Sequence, residues 1–415
     1  MARLYNSFEF IGNINIPKDK SKFHDVRESA SGWVGHRLNF GVQESKTNSA
    51  FVELYGGYSK SKPNKVFTFS KGTESEKGSK LEIPWDERLN PETLDMVADF
   101  KKIVVDLTTD FELKEEVNQI LYQIRSLEYQ DKLTPEDQEK LSSLKKELTE
   151  KAADRHEFIH NYDAIEFLSS KLEDYKEYKF RLTGSLDLSA NKGKFYRKFN
   201  PELIEIVEND TPSQLRSTMD IFFTKDAVDD KDFNKEKKVF IDGYVLGYDS
   251  GVKKDQFFPM QFVINGQKLD FENETHVKRF EFLKNKFNVK GKGVYHLQWL
   301  VNIFRGADTV EFTENDLTPQ QKEAIEFGFN KLEDFAPKGG MLGETVYENR
   351  LVKPTLELIN DANDFREGAV ESTYELDDLD FTFAEPQSKP AETVETKTES
   401  TPKVDIDKDL DDLFA

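Results

Sequence analysis

The sequence predicts an α+β protein that is mainly β. It comprises two related β-barrel units, a helical-hairpin insertion and a disordered acidic tail. Three observations lead there. Short apolar-alternating runs separated by turn residues fill residues 1–72 and resume after residue 179. Between them the apolar period changes to three and four, as on a helix. After residue 360 the pattern dissolves into an acidic stretch rich in Thr, Glu and Pro.

The first unit is expected over 1–108. Phe8, Phe10, Ile14 and Ile16 alternate around Gly12, and further strand runs cover 33–42, 50–55 and 64–69. A helix over 91–100 and a strand over 103–107 complete it. The insertion is expected over 109–176. There Leu113, Val117, Ile120, Ile124 and Leu127 mark one helix face, and Thr134-Pro-Glu-Asp137 opens a second helix, continued by Leu141, Leu144 and Leu148. A third helix is expected over 162–172. The second unit is expected over 177–312. Phe180, Leu182, Leu186 and Leu188 stand around Gly184 at the offsets seen around Gly12, and Val239, Ile241 and Val245 partly repeat this around Gly243. Glycine in mid-strand suits the sharp coil of barrel closure. Residues 313–360 read as a helical or irregular connector, and 361–415 as the tail. Tyr374–Phe381 and Asp409–Phe414 are apolar-acidic islands in that tail, sharing Leu-Asp-Asp-Leu.

With 415 residues the chain has room for two or three domains. Its net charge of −21 is uneven. Residues 1–80 carry 13 basic and 8 acidic groups, a net +5, whereas 361–415 carry 5 and 17, a net −12. Such asymmetry says more about partners than the acidic total does. The absence of Cys excludes disulfides, thiolate metal sites and cysteine nucleophiles, and it fits a reducing compartment. No secretory signal and no membrane span are expected.

His156-Glu-Phe-Ile-His160 matches the zinc-peptidase pattern, but no third ligand accompanies it, and Glu166 and Glu173 on the next helix have no recognisable ligand context. Lys338-Gly-Gly-Met-Leu-Gly343 lacks phosphate-loop spacing. Aromatic residues interleaved with cations are better represented. The candidates for nucleic-acid binding are Trp33, Arg37, Phe40, Tyr55, Tyr58, Lys60, Lys62 and Lys65 in the first unit, and Lys192, Lys194, Tyr196, Arg197, Lys198, Lys253 and Lys254 in the second. Bases stack on aromatic faces while cations follow phosphates, which is what a single-strand binder needs.

With these strands and its acidic C-terminal segment, the chain resembles phage and bacterial single-stranded-DNA-binding proteins of the OB-fold, helix-destabilising type. The resemblance implies two OB-like barrels and a non-enzymatic protein that coats exposed strands during DNA replication, recombination or repair. It implies host cytoplasm as the location; the residues themselves suggest no cofactor and no metal, and without Cys the cysteine-containing zinc site of some phage members is excluded. It also implies that Asp409, Leu410, Asp411, Asp412, Leu413 and Phe414 dock on replication and recombination proteins. Two other readings stand beside it: a phage virion or assembly protein with β-rich interaction domains, and a zinc hydrolase using His156, Glu157 and His160.

Overall fold

Strand β1 (Ser7–Asn15) turns Phe8, Phe10 and Ile14 inward, as its alternation predicts. The computed structural model describes residues 6–310, 317–335, 341–355, 358–359, 364–365 and 368–383. A short helix α1 (Lys20–Phe23), capped by the Asp19 carboxylate, leads into the antiparallel meander β2 (His24–Glu28), β3 (Trp33–Ser45) and β4 (Asn48–Ser59). Strands β5 (Lys65–Phe69) and β6 (Lys80–Pro84) form a separate two-stranded sheet. With helix α2 (Pro91–Met96) following, Val66, Ile83 and Val97 make a small apolar cluster.

Strand β7 (Ile103–Asp106) precedes the helical hairpin α3 (Phe111–Glu128) and α4 (Pro135–Lys151). Thr134 and Asp137 form the reciprocal capping box the sequence announces. The hairpin buries Ile120, Ile124, Leu127 and Leu144 against one another. Strand β8 (Arg155–Phe158) pairs with β7, and helix α5 (Asn161–Lys171) buries Ala164, Ile165 and Leu168. The strands β9 (Lys179–Asn191), β10 (Lys194–Val207), β11 (Gln214–Phe223) and β12 (Val228–Asp229) follow. Then come α6 (Phe233–Glu236), β13 (Lys238–Asp249), β14 (Lys254–Asn265), α7 (Glu274–Asn285) and β15 (Tyr295–Val310). Helices α8 (Pro319–Glu326) and α9 (Leu332–Phe335) precede β16 (Met341–Pro354). Strands β17 (Leu358–Ile359) and β18 (Asp364–Phe365) pair together, and β19 (Val370–Glu371) pairs with β15.

The result is an α+β fold, mainly β, built on one large sheet. In one set, β1 pairs with β3 and β9, β3 with β4, and β9 with β10. The Lys198–Glu53 ion pair then links β10 to β4. In the other set, β11 pairs with β13, β13 with β14, β14 with β16, β16 with β15, and β15 with β11. Within that ring the β14–β16 pairing is parallel and the other four are antiparallel. The two sets meet where β1 pairs with β11 and where Asn48 of β4 pairs with Gly306 of β15. One apolar core runs through both, with Phe10, Phe40 and Phe180 on one side and Phe258, Phe262 and Trp299 on the other. The mid-strand glycines Gly12 and Gly184 mark close strand crossings: a Cβ there would stand 2.2 Å from Gln43 O and 2.0 Å from Asn200 O.

Three expectations meet different pairings. Strands β9 and β10, expected to open the second unit, pair with β1 across the insertion. Alternation identifies a strand but carries no information about its partner. The 313–360 stretch, expected as a connector, contains α8 and α9 but also β16, which is held along β15. Of the stretch expected as a disordered tail, residues 368–383 are packed. Tyr374 and Leu379 join Phe222, Phe257 and Val294, and Leu379 is buried. Its four large apolar side chains between 374 and 381 outweigh the acidic composition. Residues 384–415, including Asp409 to Phe414, which the resemblance expects to dock on partners, lie outside the described residues.

Candidate nucleic-acid interface

Alternation along β3 and β4 divides their side chains between core and surface. Val34, His36, Leu38, Phe40 and Val42 point inward and are buried. Trp33 and Arg37 have the opposite parity, and so do Phe51, Glu53 and Tyr55 on β4. Trp33 and Tyr55 are 37% and 46% exposed, large apolar surfaces left open to solvent. They are mutually fixed, because Trp33 Nε1 donates to the Tyr55 hydroxyl at 3.2 Å. Tyr55 lies across Gly35, where a Cβ would come within 2.8 Å of that hydroxyl. Arg37, directly opposite Tyr55 in the ladder, holds its guanidinium 5.8 Å from the ring centroid.

The stripe continues over the junction of the two ring sets. Arg305 on β15 lies 4.5 Å from the Phe51 ring and 4.8 Å from the Tyr347 ring, and it donates to the Tyr347 hydroxyl at 3.3 Å. Tyr347 on β16 is 56% exposed. From β10, Lys198 reaches Glu53, which also meets Arg37 at 3.4 Å, and Arg197 donates to Asn349. Burial, helped by the charge of Arg305, draws the Arg197 guanidinium down to about 10. Arg37 and Lys198 share one carboxylate, Glu53. The face thus combines open aromatic planes with cations held beside them.

The structure brings some candidates here and sends others elsewhere. Trp33, Arg37, Tyr55, Arg197 and Lys198 belong to this face. Phe40 does not; it is wholly buried in the core. Tyr58 sits in an inner aromatic cluster with His36, Trp85 and Tyr162. Lys60 pairs with Glu28 at 2.6 Å and Lys65 pairs with Glu82, while Lys62 is exposed in the intervening turn. Lys192 and Lys194 flank the β9–β10 turn, where Lys192 and Gly193 adopt φ of 49° and 79°. Lys253 and Lys254 are exposed at the β13–β14 turn, and Tyr196 is half-buried on β10. Arg305 and Tyr347 escape the sequence candidates, since the β4–β15 and β15–β16 pairings bring them to Phe51.

Beside the β9–β10 tip, Phe195 meets Phe381 at 4.9 Å and Phe383 at 5.5 Å. Gln256 clasps the same segment by its backbone: Nε2 donates to Thr382 O at 3.0 Å, and Thr382 N donates to Oε1 at 2.9 Å. The strap 374–383 carries Glu375, Asp377, Asp378 and Asp380, and its Phe381 and Phe383 pack on Phe195, the residue after Lys194.

The His-Glu-x-x-His pattern has no zinc-peptidase geometry. His156 lies on strand β8, and His160 caps the N-terminus of α5, accepting from Tyr162 N at 3.1 Å. Glu157 is bound to Lys102 at 2.8 Å. The motif requires both histidines one turn apart on a helix, and that helix is not there. No helix among the described residues is long and apolar enough to cross a membrane.

No protein-family model and no curated protein matches this chain. Among solved structures, a deletion mutant of the single-stranded DNA binding protein from Thermus aquaticus is similar with a TM-score of 0.28 and 9% identity, covering 87% of this chain and 98% of that one. A likeness at that score assigns neither fold nor function, and the face described above has to speak for itself.

Proposed function

We propose that this protein binds single-stranded DNA without catalysis, through two OB-like barrels. The strand order supports the barrel reading. An OB fold is a five-stranded Greek-key barrel that binds oligonucleotides on the face of strands two and three and on the loops between strands one and two and between four and five. The ring β11, β13, β14, β15 and β16 follows that plan, with α7 between the third and fourth strands. So does β1, β3, β4, β9 and β10, with α5 in the same place and the insertion before it. The exposed Trp33 and Tyr55, with the half-buried Arg37, then occupy the face of strands two and three, and Lys192 and Lys194 the loop between four and five.

The observation that carries the reading is the stripe Trp33–Tyr55–Phe51–Tyr347, with Arg37 and Arg305 held against its rings. Bases stack on such rings without regard to sequence, and the cations track the backbone. In this reading the protein coats strands in phage DNA replication, recombination or repair, in host cytoplasm. The same reading gives Asp409, Leu410, Asp411, Asp412, Leu413 and Phe414 the recruitment of partners.

The deciding measurement is anisotropy of a labelled oligonucleotide, single-stranded against duplex, at two salt concentrations. Preference for the single strand and steep weakening with salt are expected. Equal affinity for both forms, or no binding at low salt, defeats the proposal.

A further inference from the structure

Away from this face, three side chains with metal-ligand chemistry converge from three elements. His24 comes from β2, His36 from β3 and Glu166 from α5. His24 Nε2 lies 3.2 Å from His36 Nδ1, and Glu166 Oε1 lies 3.5 Å from the first and 2.9 Å from the second. Among the described residues this is the one group of three or more His, Asp or Glu with ligand atoms so close.

The fold explains the convergence. In the β2–β3 ladder His24 stands opposite Leu38, and Val26 opposite His36, so the two imidazoles are diagonal neighbours. Helix α5 covers them, and Glu166 follows Tyr162 by one helical turn; Tyr162 itself stands perpendicular to His36 at 4.9 Å. Segments 24–36 and 166 are remote in sequence, and among the described residues Glu166 is the carboxylate that completes the group of three.

The dimensions fit a metal ion. Zinc takes nitrogen and oxygen ligands at about 2.0–2.2 Å in a tetrahedron, whose ligand-to-ligand edges are therefore roughly 3.4 Å. The observed triangle has sides of 2.9, 3.2 and 3.5 Å. Hydrogen bonding alone serves the triad poorly. His36 Nδ1 is approached by both the carboxylate and His24 Nε2, yet it can hold one proton. His36 Nε2 is buried with no polar partner and faces an aromatic surrounding. A proton on Nε2 is tolerated against a π face, and that tautomer leaves the Nδ1 lone pair directed into the cluster.

We infer that His24, His36 and Glu166 form a Zn²⁺ site with three protein ligands and a solvent-accessible fourth position. Two imidazoles and one carboxylate favour a borderline ion such as Zn²⁺ over Mg²⁺ or Ca²⁺, which demand all-oxygen shells. The side chain of Glu166 is 45% exposed, so water reaches the open position. The ion clips α5 to the β2–β3 edge of the first ring, and its role is structural. It is independent of the proposed oligonucleotide face, where Trp33 and Tyr55 belong to the β3–β4 ladder.

The test is zinc binding by the full chain, stripped with chelator and titrated against a chromophoric zinc indicator. Visible absorption of the Co²⁺ form and the thermal midpoint are read in parallel. One equivalent of Zn²⁺, tetrahedral Co²⁺ bands and a higher thermal midpoint with zinc are expected. His24→Ala and Glu166→Gln should each weaken zinc by more than the roughly 10–100-fold that loss of an outer-shell partner costs. Circular dichroism of each variant checks that it is folded, and Glu166→Asp supplies a conservative form that keeps a carboxylate. No saturable zinc binding by the wild type, or undiminished binding in both folded variants, overturns the assignment.

Discussion

Tyr55 and Trp33 make opposite demands on folding and binding. Each leaves a large apolar surface in water, and each is held by the other's hydrogen bond rather than by the core. Their removal should therefore cost affinity more than stability. Tyr55→Ala and Trp33→Ala should each weaken oligonucleotide binding by about 1–3 kcal/mol, the measured worth of one stacked base. Thermal midpoints close to wild type would accompany this; a matching loss of stability and no loss of affinity would return both rings to a purely structural role. His160 is the contrasting case, a residue for stability alone. Its ring nitrogen caps α5, and burial holds its pKa below the ordinary 6.5, with Asp163 opposing that shift. The unfolded chain therefore takes up a proton before the folded one does. Stability due to this group is complete above the unfolded pKa and is lost as pH falls below about 6.5 towards the folded value. His160→Asn keeps a capping acceptor but cannot titrate. Its thermal midpoint should fall less than wild type between pH 7 and pH 5, and an identical fall in both proteins would dismiss His160 as a contributor.

Among the elements, the strap 374–383 carries the sharpest consequence. It is anchored by Leu379 in the Phe222–Phe257 pocket and by the two hydrogen bonds to Gln256, and its Phe381 and Phe383 meet Phe195 at the β9–β10 tip. Leu379→Asp should release it, because a carboxylate cannot occupy that apolar site unpaired. Hydrogen exchange at 374–383 should rise, and oligonucleotide affinity should increase, most of all at low salt. Faster exchange with unchanged affinity would mean that the strap does not shield the binding path. The strap was hard to foresee, since acidic composition reads as solvation while docking depends on a pocket assembled from β11, β14 and the segment before β15. The elements themselves were legible: period-two runs gave β1, β3, β4, β9 and β13, and the Thr134 capping box placed α4. Parity in the sequence already separates Phe40 from Trp33 and Arg37, which occupy opposite faces of β3. Pairing was not legible, because partner choice is made by long-range packing. Hence Arg305 and Tyr347 could not be joined to Phe51 beforehand, nor Glu166 to His24 and His36.

For the whole molecule, the difficulty is how a chain of net charge −21 approaches a polyanion. The charge is segregated: residues 1–80 carry +5, whereas 361–415 carry −12. If the proposed function holds, the acidic segment acts as a tethered competitor for the cationic face, present at high effective concentration whatever the dilution. Deleting residues 403–415 removes five Asp and two Lys, a net −3, together with Leu410, Leu413 and Phe414. The truncated protein should bind single-stranded DNA more tightly at low ionic strength, where the Debye length reaches about 30 Å at 0.01 M. That advantage should vanish as the length shrinks to about 3 Å at 1 M salt, because screening weakens a long-range competitor first. Wild type should accordingly show the shallower dependence of affinity on salt, since added ions weaken its inhibitor as well as its contacts to phosphate. Titrations of both proteins across that salt range separate the possibilities. An advantage that persists undiminished at high salt would point to steric masking by the apolar residues. Superimposable curves at every concentration would show that these thirteen residues leave the DNA face alone.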